Sequence, residues 1–567
     1  MKKNTVYGSI VAASMAFVAT VSVDGFSANN STNESTNKQL VYAAEETPVQ
    51  LLSEEAQNPS HVSVHDPAII QANDGSYYII GTHTASAYSE DLIHWKQLNR
   101  DYQNKTDAPF FGNLLKNFAR PFEWAGYDDG DCSGKNFAIW APDIIWNPYY
   151  KWDDGDTGAY MLYCSNSSTW RRSCISLLVS KTLDETFTYK DTLIYSGFTK
   201  NGHPDGNSTR DTSWNNSYLN LNDLLERGSS QNGIDEINDK WFSTSGDWNH
   251  AYAPNAIDAN PFFDADGTHL YLSYGSWSGG LFLLELDPTT GTAIYPGIDG
   301  EDEVSGNFID RYFGTHLAGG YHQSGEGPYI YYDKESEYYY LYETYGGLTA
   351  NGGYNMRLFR SKNPTGPYLD AKGQNAAENR INNEKYGIKL IGNYCFDGQM
   401  GKRSAGHNSV LRDMDGSRYL VYHQRFDTTP VSESHEVRIH QQFLNEDLWP
   451  VTAVYEYRGQ TPSHYLDEDV IGSYELVNHG TKSDSAMIKT QTIDLLADGQ
   501  LSGAMTGTWN KTDSGKGYDY ITIESEDGSV YKGFFFYQQK ETYASNCVMT
   551  FSAIGDNNIC IWGSKFP

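Results

Sequence analysis

Residues 336–347 read SEYYYLYETYGG, a charged turn followed by alternating aromatic and aliphatic side chains and then by two glycines. Alternation with a period of two residues is typical of a β-strand that has one buried face. Four other stretches have this form: DGSYYIIGTH (74–83), TGAYMLYCSNSS (157–168), DGTHLYLSYGSW (266–277) and DGSRYLVYHQRF (415–426). Their spacing of roughly 70–110 residues suits one four-stranded sheet with generous loops. The pattern therefore predicts an all-β chain with a five-bladed β-propeller; a β-sandwich or jelly roll is the alternative, but neither needs five similar units.

The rest of the chain divides into segments of different composition. Residues 1–28 start with a lysine pair followed by a mainly apolar stretch, which predicts a secretory signal peptide. Residues 29–60 are rich in Ser, Asn, Thr, Glu and Gln, as expected of a disordered linker. The propeller is then expected over 61–462. Short alternating strands and tight turns over 466–567 predict a small antiparallel β-barrel or sandwich.

The net charge of the chain limits the classes of partner that it can bind. The chain has 41 Lys and Arg against 72 Asp and Glu, a net charge of −31, which repels nucleic acid and anionic membranes. Together with the export signal, this predicts a secreted protein that binds neither, and we expect a monomer. Among the six cysteines, Cys547 with Cys560 is the first candidate disulfide, and Cys164 with Cys174 is the second.

Three carboxylates stand out by position: Asp66 in VHDPAI, Asp258 in PNAIDANPFF and Glu326 in SGEGPYIYY. Each alone has an ordinary explanation, as a turn residue or a buried hydrogen-bonded acid. Each, however, precedes a strand of a different predicted blade, and such positions meet at the mouth of a propeller channel. We therefore expect the three acids to converge.

The residues next to two of these acids in the sequence lead to two further predictions. Pro67 should hold Asp66 in an extended conformation, because proline disfavours the helical region for the residue before it. Gly325 and Gly327 add no side chains beside Glu326 and should leave room for a ligand.

Converging carboxylates are what glycoside hydrolysis requires. One must stay ionised to activate water, and another must hold a proton for the leaving oxygen. A third acid nearby raises the pKa of the proton donor by like-charge repulsion.

Several motifs occur in a fixed order along the chain: VHDPAI, WAPDI (140–144), NAID, SYGSWSGGLFLLELD (273–287), GEGPYI, AGHNSV (405–410) and VRIHQQFLNEDLWPV (437–451). Over roughly 61–462 the sequence thereby resembles family 43 of the glycoside hydrolases and, within it, the longer endo-α-1,5-L-arabinanases with a C-terminal β-domain. The resemblance implies a secreted, inverting enzyme that cleaves internal α-1,5-L-arabinofuranosidic bonds of arabinan, a plant cell-wall polysaccharide. It implies Asp66 as general base, Glu326 as general acid and Asp258 as pKa modulator.

The resemblance also implies ligand-binding residues. His407 would hold one hydrated calcium ion in the central channel, Trp140 would form a wall against the sugar, and Trp277 with Ser278 would lie near the cleavage point. Two features depart from the family pattern: Ala259 follows Asp258 where proline is common, and the polar stretch 202–249 has no counterpart that we can assign.

Other functions stay open at this point. An exo-acting arabinofuranosidase or β-xylosidase of the same family would use the same acids, since loop positions decide between endo and exo action. A fructan hydrolase is disfavoured, because residues 65–68 read HDPA rather than the Asn-Asp-Pro-Asn type motif. A non-catalytic sugar-binding propeller is the alternative from another class, but it would not need three acids.

Overall fold

The computed structural model of the protein describes residues 58–102, 104–127, 137–168, 172–202, 210–320, 325–378, 383–542 and 546–566. The predicted signal peptide (1–28) and nearly all of the predicted linker (29–60) lie outside the described residues. Within the described part, no helix is both long and apolar enough to span a bilayer.

Five antiparallel sheets follow one another along the chain. Sheet 1 contains β1 (Ala68–Gln71), β2 (Tyr77–Ile80), β3 (Ser86–Ser89) and β4 (Lys96–Asn99). Sheet 2 contains β5 (Ile139–Lys151), β6 (Thr157–Asn166), β7 (Ser173–Ser180) and β8 (Thr188–Ser196). Sheet 3 contains β9 (Asn260–Phe263), β10 (Leu270–Ser276), β11 (Gly280–Leu286), β12 (Ala293–Ile294), β13 (Gly300–Glu301), β14 (Phe308–Asp310) and β15 (Gly314–Ala318).

The last two sheets lie between residues 326 and 452. Sheet 4 contains β16 (Glu326–Asp333), β17 (Tyr338–Tyr345), β18 (Asn355–Ser361) and β19 (Ile388–Ile391). Sheet 5 contains β20 (Tyr394–Cys395), β21 (Lys402–Arg412), β22 (Arg418–Phe426), β23 (His435–Leu444) and β24 (Pro450–Thr452). The helices are short: α1 (Leu114–Asn117), α2 (Ala119–Ala125), α3 (Leu221–Arg227), α4 (Asp467–Val470) and 3-10 turns at Thr82–Thr84, Ser229–Gln231, Asp239–Trp241, Ala376–Glu378 and Asn383–Lys385.

The sheets are arranged around a centre. Strand β1 contacts β5, β5 contacts β9, β9 contacts β16, β16 contacts β21, and β21 contacts β1 again. Apolar side chains fill the spaces between neighbouring sheets; Ile79 of sheet 1, for example, shares a core with Val421 of sheet 5. The architecture is therefore all-β and propeller-like, with the ends of the inner strands gathered around one axis.

The repeats read from the sequence occupy equivalent places in this arrangement. Each of the five forms the strand beside the inner one, as β2, β6, β10, β17 and β22. Successive side chains of these strands point to opposite faces and pack against the two neighbouring sheets in turn, which is why aromatic and aliphatic residues dominate.

A closed eight-stranded barrel follows, so of the two predicted C-terminal folds the structure has the barrel. Its strands are β25 (Gly472–Asn478), β27 (Gln491–Leu495), β28 (Gln500–Gly503), β29 (Gly507–Asp513), β30 (Asp519–Ser525), β31 (Val530–Gln539), β32 (Cys547–Gly555) and β33 (Cys560–Lys565). Strand β26 (Ile488–Lys489), between β25 and β27, leaves the barrel and pairs in parallel with β20 of sheet 5. Trp562 of the barrel is fully buried in a core shared with sheets 4 and 5.

Both predicted disulfides are wrong. Cys547, Cys560, Cys164 and Cys174 are all free. On the paired strands β6 and β7, Cys164 faces Ser176 and Cys174 faces Asn166. On β32 and β33, Cys560 faces Ile554, whereas Cys547 lies opposite Gln539 of β31. Strand register thus separates cysteines that are close in sequence.

Candidate active site

Asp66, Asp258 and Glu326 line one cavity of about 560 Å³ at the centre of the propeller-like region. Asp66 lies two residues before β1, Asp258 lies two residues before β9 and Glu326 begins β16, so each acid is at or just before the start of an inner strand. The expected convergence of these three residues is what the structure has. Trp140, Trp277 and His407 line the same cavity.

Asp66 has both carboxylate oxygens held by neighbours. Thr82 Oγ1 donates to Oδ2 at 2.5 Å, and His65 Nδ1 lies 2.7 Å and His407 Nδ1 3.2 Å from Oδ1. Burial by itself raises the pKa of Asp66, but the interactions with the imidazoles of His407 and His65, including the hydrogen bond from His65, outweigh it. The pKa is therefore held well below its ordinary value, and the group is ionised.

His65 was not singled out from the sequence, although it is the residue before Asp66. Arg425 Nη2 lies 3.2 Å from His65 Nε2, and a guanidinium can only donate. Nε2 must therefore accept, which leaves the proton on Nδ1 to be donated to Asp66. Arg425 thus fixes the tautomer that holds the carboxylate.

The backbone at three of these residues is unusual. Asp66, Asp258 and His407 have φ values of 54°, 59° and 48°, in the left-handed region that non-glycine residues rarely adopt. The extended conformation expected of Asp66 ahead of Pro67 is wrong, because the Asp66 N–H donates to His423 Nδ1 at 3.2 Å and its carboxylate is anchored. Tertiary contacts override the local preference, as is common where strain serves a site.

The other two acids have pKa values shifted upward. Burial, the charge of Glu326 and the charge of Asp66 raise the pKa of Asp258 well above its ordinary value. Burial also raises the pKa of Glu326, partly opposed by a hydrogen bond from Tyr354, whose hydroxyl donates to Glu326 Oε1 at 2.8 Å. Asp258 Oδ2 accepts from the Gly327 N–H at 3.0 Å, which ties it to the residue after Glu326. One ionised acid thus faces two that favour the protonated form.

The two glycines beside Glu326 do not leave open space, contrary to expectation. A Cβ on Gly327 would lie 2.9 Å from His407 Nδ1, and one on Gly325 would lie 2.9 Å from Glu343 Oε2. Both glycines are needed because protein side chains occupy the room beside them.

The cavity walls carry aromatic rings and polar atoms without partners. Trp277 stacks on His250, with ring centroids 5.0 Å apart. Trp140 Nε1, Ser168 Oγ and Asn255 Oδ1 are buried and have no hydrogen-bond partner among the described residues. Such atoms are suited to bind the hydroxyl groups of a ligand.

Ser278 is placed differently from the expectation. It is fully buried, its hydroxyl donates to Ala253 O at 3.0 Å and lies 2.7 Å from His250 Nδ1. The side chain is engaged within the protein, where it orients the histidine that stacks on Trp277.

The polar stretch 202–249 leads to these wall residues. It contains α3 and packs on sheet 3 through the fully buried Trp241, whose indole donates to Asp310 Oδ2 at 2.8 Å. His250 and Asn255 follow this stretch: Asn255 lines the cavity, and His250 stacks on Trp277, which lines it. Because the stretch is polar, its amino-acid sequence did not indicate that it leads to the cavity wall.

His407 also faces a second, smaller cavity of about 20 Å³ lined by Asp66, Asp143, Asp258 and Asn408. Both amide atoms of Asn408 are buried without a partner among the described residues. Carboxylate and amide oxygens are the ligands that Ca²⁺ prefers, so the residues present fit a calcium ion beside His407. Because the small cavity has room for about one water, the waters of a hydrated ion would lie in the larger cavity, which His407 also lines. Asp143, not singled out from sequence, is buried, and burial raises its pKa to about 7.

A second possible ligand group lies beside it. One nitrogen each from His65 and His423 and a carboxylate oxygen of Asp66 lie within 4.8 Å of one another. His65 Nδ1 contacts the Asp66 carboxylate, and the Asp66 N–H donates to His423 Nδ1. These hydrogen bonds already explain why the three residues lie together.

Comparison with known proteins places the chain among enzymes. Residues 235–450 match the model of glycosyl hydrolases family 43, and residues 454–563 match a C-terminal lipocalin-like domain. The extracellular endo-α-(1→5)-L-arabinanase 2 of Bacillus subtilis is 36% identical over 526 residues, covering 90% of this chain and 95% of that protein. The extracellular endo-α-(1→5)-L-arabinanase of Thermotoga petrophila is 32% identical over 88% of this chain and 93% of its own length.

Solved structures agree in fold over the same extent. The crystal structure of the Thermotoga petrophila endo-1,5-α-L-arabinanase superposes with a TM-score of 0.71 at 30% identity, covering 90% of this chain and 100% of that one. A family 43 glycoside hydrolase from Bacillus licheniformis gives 0.70 at 33% identity, covering 90% and 99%. With identity above 30% carried through nearly the whole length of such relatives, the protein belongs to family 43 of the glycosyl hydrolases.

Proposed function

We propose that this protein is a secreted, inverting endo-α-1,5-L-arabinanase that hydrolyses internal bonds of arabinan. The observation that carries the proposal is the set of three acids in one cavity with pKa values shifted in opposite directions. Sugar hydrolysis with inversion needs one ionised and one protonated carboxyl group. The extracellular endo-arabinanases of Bacillus subtilis and Thermotoga petrophila, similar along most of the chain, supply the substrate and the location outside the cell.

Each acid has a role in this proposal. Asp66, ionised and anchored by Thr82 and His65, is the general base that takes a proton from the attacking water. Glu326, with its pKa raised, is the general acid that protonates the leaving oxygen. Asp258 raises the proton affinity of the site and, through the Gly327 N–H, helps to orient Glu326.

The cavity walls bind the sugar. Trp140 and Trp277 pack their rings against a furanose. The Ser168 hydroxyl donates to or accepts from the hydroxyl groups of the sugar, and Asn255 Oδ1 accepts from them. Ser278 acts indirectly by holding His250 behind Trp277.

Calcium is part of the proposal. His407 would hold one hydrated Ca²⁺ between the two cavities, beside the oxygens of Asp66, Asp143 and Asn408. A divalent charge there stabilises the ionised form of Asp66. The proton transfers themselves are assigned to the side chains described above.

We assign each of the five sheets to one propeller blade over residues 61–462, with the barrel within 466–567, the signal peptide at 1–28 and the linker at 29–60. The ring of contacts from β1 through β5, β9, β16 and β21 back to β1 supports five blades. We propose that the active form is a monomer, since the three acids and the cavity walls come from one chain.

The test is incubation with debranched arabinan, with chromatography of the products and NMR of the first anomer formed. We expect mixed arabino-oligosaccharides early in the reaction and an inverted anomer. Arabinose alone from the first minutes would indicate the exo-acting alternative. Binding without any hydrolysis would indicate a sugar-binding protein and overturn the proposal.

A further inference from the structure

The segment 479–489, which connects β25 to β27, leaves the barrel and packs on sheets 4 and 5. At one end the Gly392 N–H donates to His479 Nδ1 at 3.1 Å, and His479 is buried. At the other end the Ile488 N–H donates to Asn393 O at 2.9 Å, where β26 joins β20. Both ends of the segment are therefore anchored beside the start of sheet 5.

Three basic side chains from β18, β19 and β21 hold the middle of the segment by its backbone. Arg357 and Lys389 are buried, so their N–H groups need acceptors to offset the loss of water. The contacts are Arg357 Nη2 with Thr481 O and with Ser483 Oγ (3.0 Å), Lys389 Nζ with Lys482 O (2.6 Å), and Arg403 Nη1 with Ser485 O (3.1 Å).

The segment touches the loop 346–354, which connects β17 to β18, at Gly353. A Cβ on Gly353, which has a φ of 72°, would lie 2.6 Å from the carbonyl carbon and oxygen of Asp484. The next residue is Tyr354, whose hydroxyl donates to Glu326 Oε1 at 2.8 Å. The backbone that carries this tyrosine therefore rests directly on the barrel segment.

A second line of contacts leads from the segment to the other side of Glu326. The Arg357 guanidinium lies 5.1 Å from the centre of the Tyr345 ring, and the Tyr345 hydroxyl donates to Glu343 Oε1 at 2.9 Å. Glu343 in turn packs against Gly325, the residue before Glu326.

We propose that the barrel segment 479–489 positions the general acid, by fixing Tyr354 and Glu343 so that the carboxyl group of Glu326 faces the leaving oxygen. Arg357 and Ser483 are positioning residues in this view, since they act through Tyr354, Tyr345 and Glu343. The inference rests on the proposed function, because it assigns a task within that reaction.

The experiment compares two substrates that differ in their need for an acid. Debranched arabinan has an alkoxide leaving group that must be protonated, whereas the 2,4-dinitrophenyl glycoside of α-1,5-arabinotriose releases a stable phenolate. In the Arg357→Gln variant, we expect kcat on arabinan to fall about tenfold. On the aryl glycoside we expect a loss of less than about twofold, because the base and the sugar site are intact.

Two further variants accompany it. Ser483→Ala removes one hydrogen bond from the barrel side and should give a smaller loss, again on arabinan alone; it decides the test if Arg357→Gln does not fold. Gln538→Ala is the matched control. It breaks buried contacts to the Val454 N–H and the Tyr455 carbonyl, which belong neither to the segment 479–489 nor to the loop 346–354. We expect it to lower the melting temperature without changing the ratio of the rates on the two substrates.

Equal losses on both substrates, or no loss on either, would overturn the inference while arabinan hydrolysis by the unaltered protein left the proposed function standing. Failure of the unaltered protein to hydrolyse arabinan would overturn both.

Discussion

At the scale of single residues, the opposite pKa shifts of Asp66 and Glu326 determine what the site can do. They arise from different surroundings, since imidazoles surround Asp66, whereas burial dominates around Glu326 and outweighs the opposing hydrogen bond from Tyr354. When two carboxyl groups differ in pKa, the one with the higher pKa can act as the acid and the one with the lower pKa as the base.

Replacing Glu326 by glutamine should remove the proton donor and keep the shape of the side chain. We expect kcat on debranched arabinan to fall by about 10²–10⁴-fold, with binding of arabino-oligosaccharides in calorimetry nearly unchanged. Turnover close to that of the unaltered protein would show that another group donates the proton.

The pH profile should follow the directions of the shifts. Asp66, with a lowered pKa, stays ionised in mild acid, and Glu326, with a raised pKa, stays protonated above the ordinary glutamate value of 4.5. Activity should therefore be bell-shaped and fall on the alkaline side as Glu326 loses its proton. In Tyr354→Phe, the hydrogen bond that favours the charged carboxylate is lost, so the alkaline limb of kcat/KM should move to higher pH. A move to lower pH would contradict the assignment of that limb to Glu326.

Removal of calcium tests the role of His407. After treatment with a chelator, we expect activity to fall and the melting temperature to drop, and both to return on adding Ca²⁺, since a ligand that binds the folded state stabilises it. An unchanged rate and melting temperature would remove calcium from the proposal.

At the scale of elements, the stretch between β8 and β9 and the β10–β11 turn form one wall of the cavity together. The stretch contributes Asn255 and the turn contributes Trp277, while His250 and Ser278 contact each other behind Trp277. The orientation of Trp277 thus depends on a residue 27 positions earlier in the chain.

Truncating His250 to alanine should loosen Trp277 without touching the acids. An aromatic pair contributes about 0.5–1.5 kcal/mol, so we expect KM for arabinan to rise roughly twofold to tenfold, with kcat changed little. Tyr252→Phe, which removes a hydroxyl that donates to Asp310 away from the cavity wall, is the control. A selective loss of kcat in His250→Ala would place His250 in the reaction itself.

At the scale of the whole molecule, the barrel and the propeller-like region share a core. Trp562 of β33 packs edge-on against Tyr394, and both belong to one buried cluster with Tyr340 and Tyr422. Because neither region keeps an intact core without the other, we expect them to unfold together.

Trp562→Ala should therefore destabilise the entire chain. Removing a buried tryptophan costs about 3–5 kcal/mol, and calorimetry should record one transition moved to lower temperature for both regions. Trp509→Phe, inside the barrel and away from the shared core, should have a smaller effect. Two separate transitions in the unaltered protein would contradict this coupling.

Much of the fold was predictable because it depends on local alternation. The five repeated strands and the series of short C-terminal strands are visible residue by residue, since one buried face demands a period of two. The positions of Asp66, Asp258 and Glu326 followed from their places ahead of those strands, together with the family resemblance.

The β architecture, the three acids and the family are visible in the amino-acid sequence, because short contiguous motifs carry them. The surroundings of the acids depend on the folded chain: Thr82, His65 and Arg425 around Asp66, Tyr354 beside Glu326, and the strained backbone of Asp66. The same is true of the free cysteines. Apart from His65, which is next to Asp66, these contacts join residues 16 to 360 positions apart. Their physical cause, the packing of one sheet against another, therefore exists only once the chain has folded.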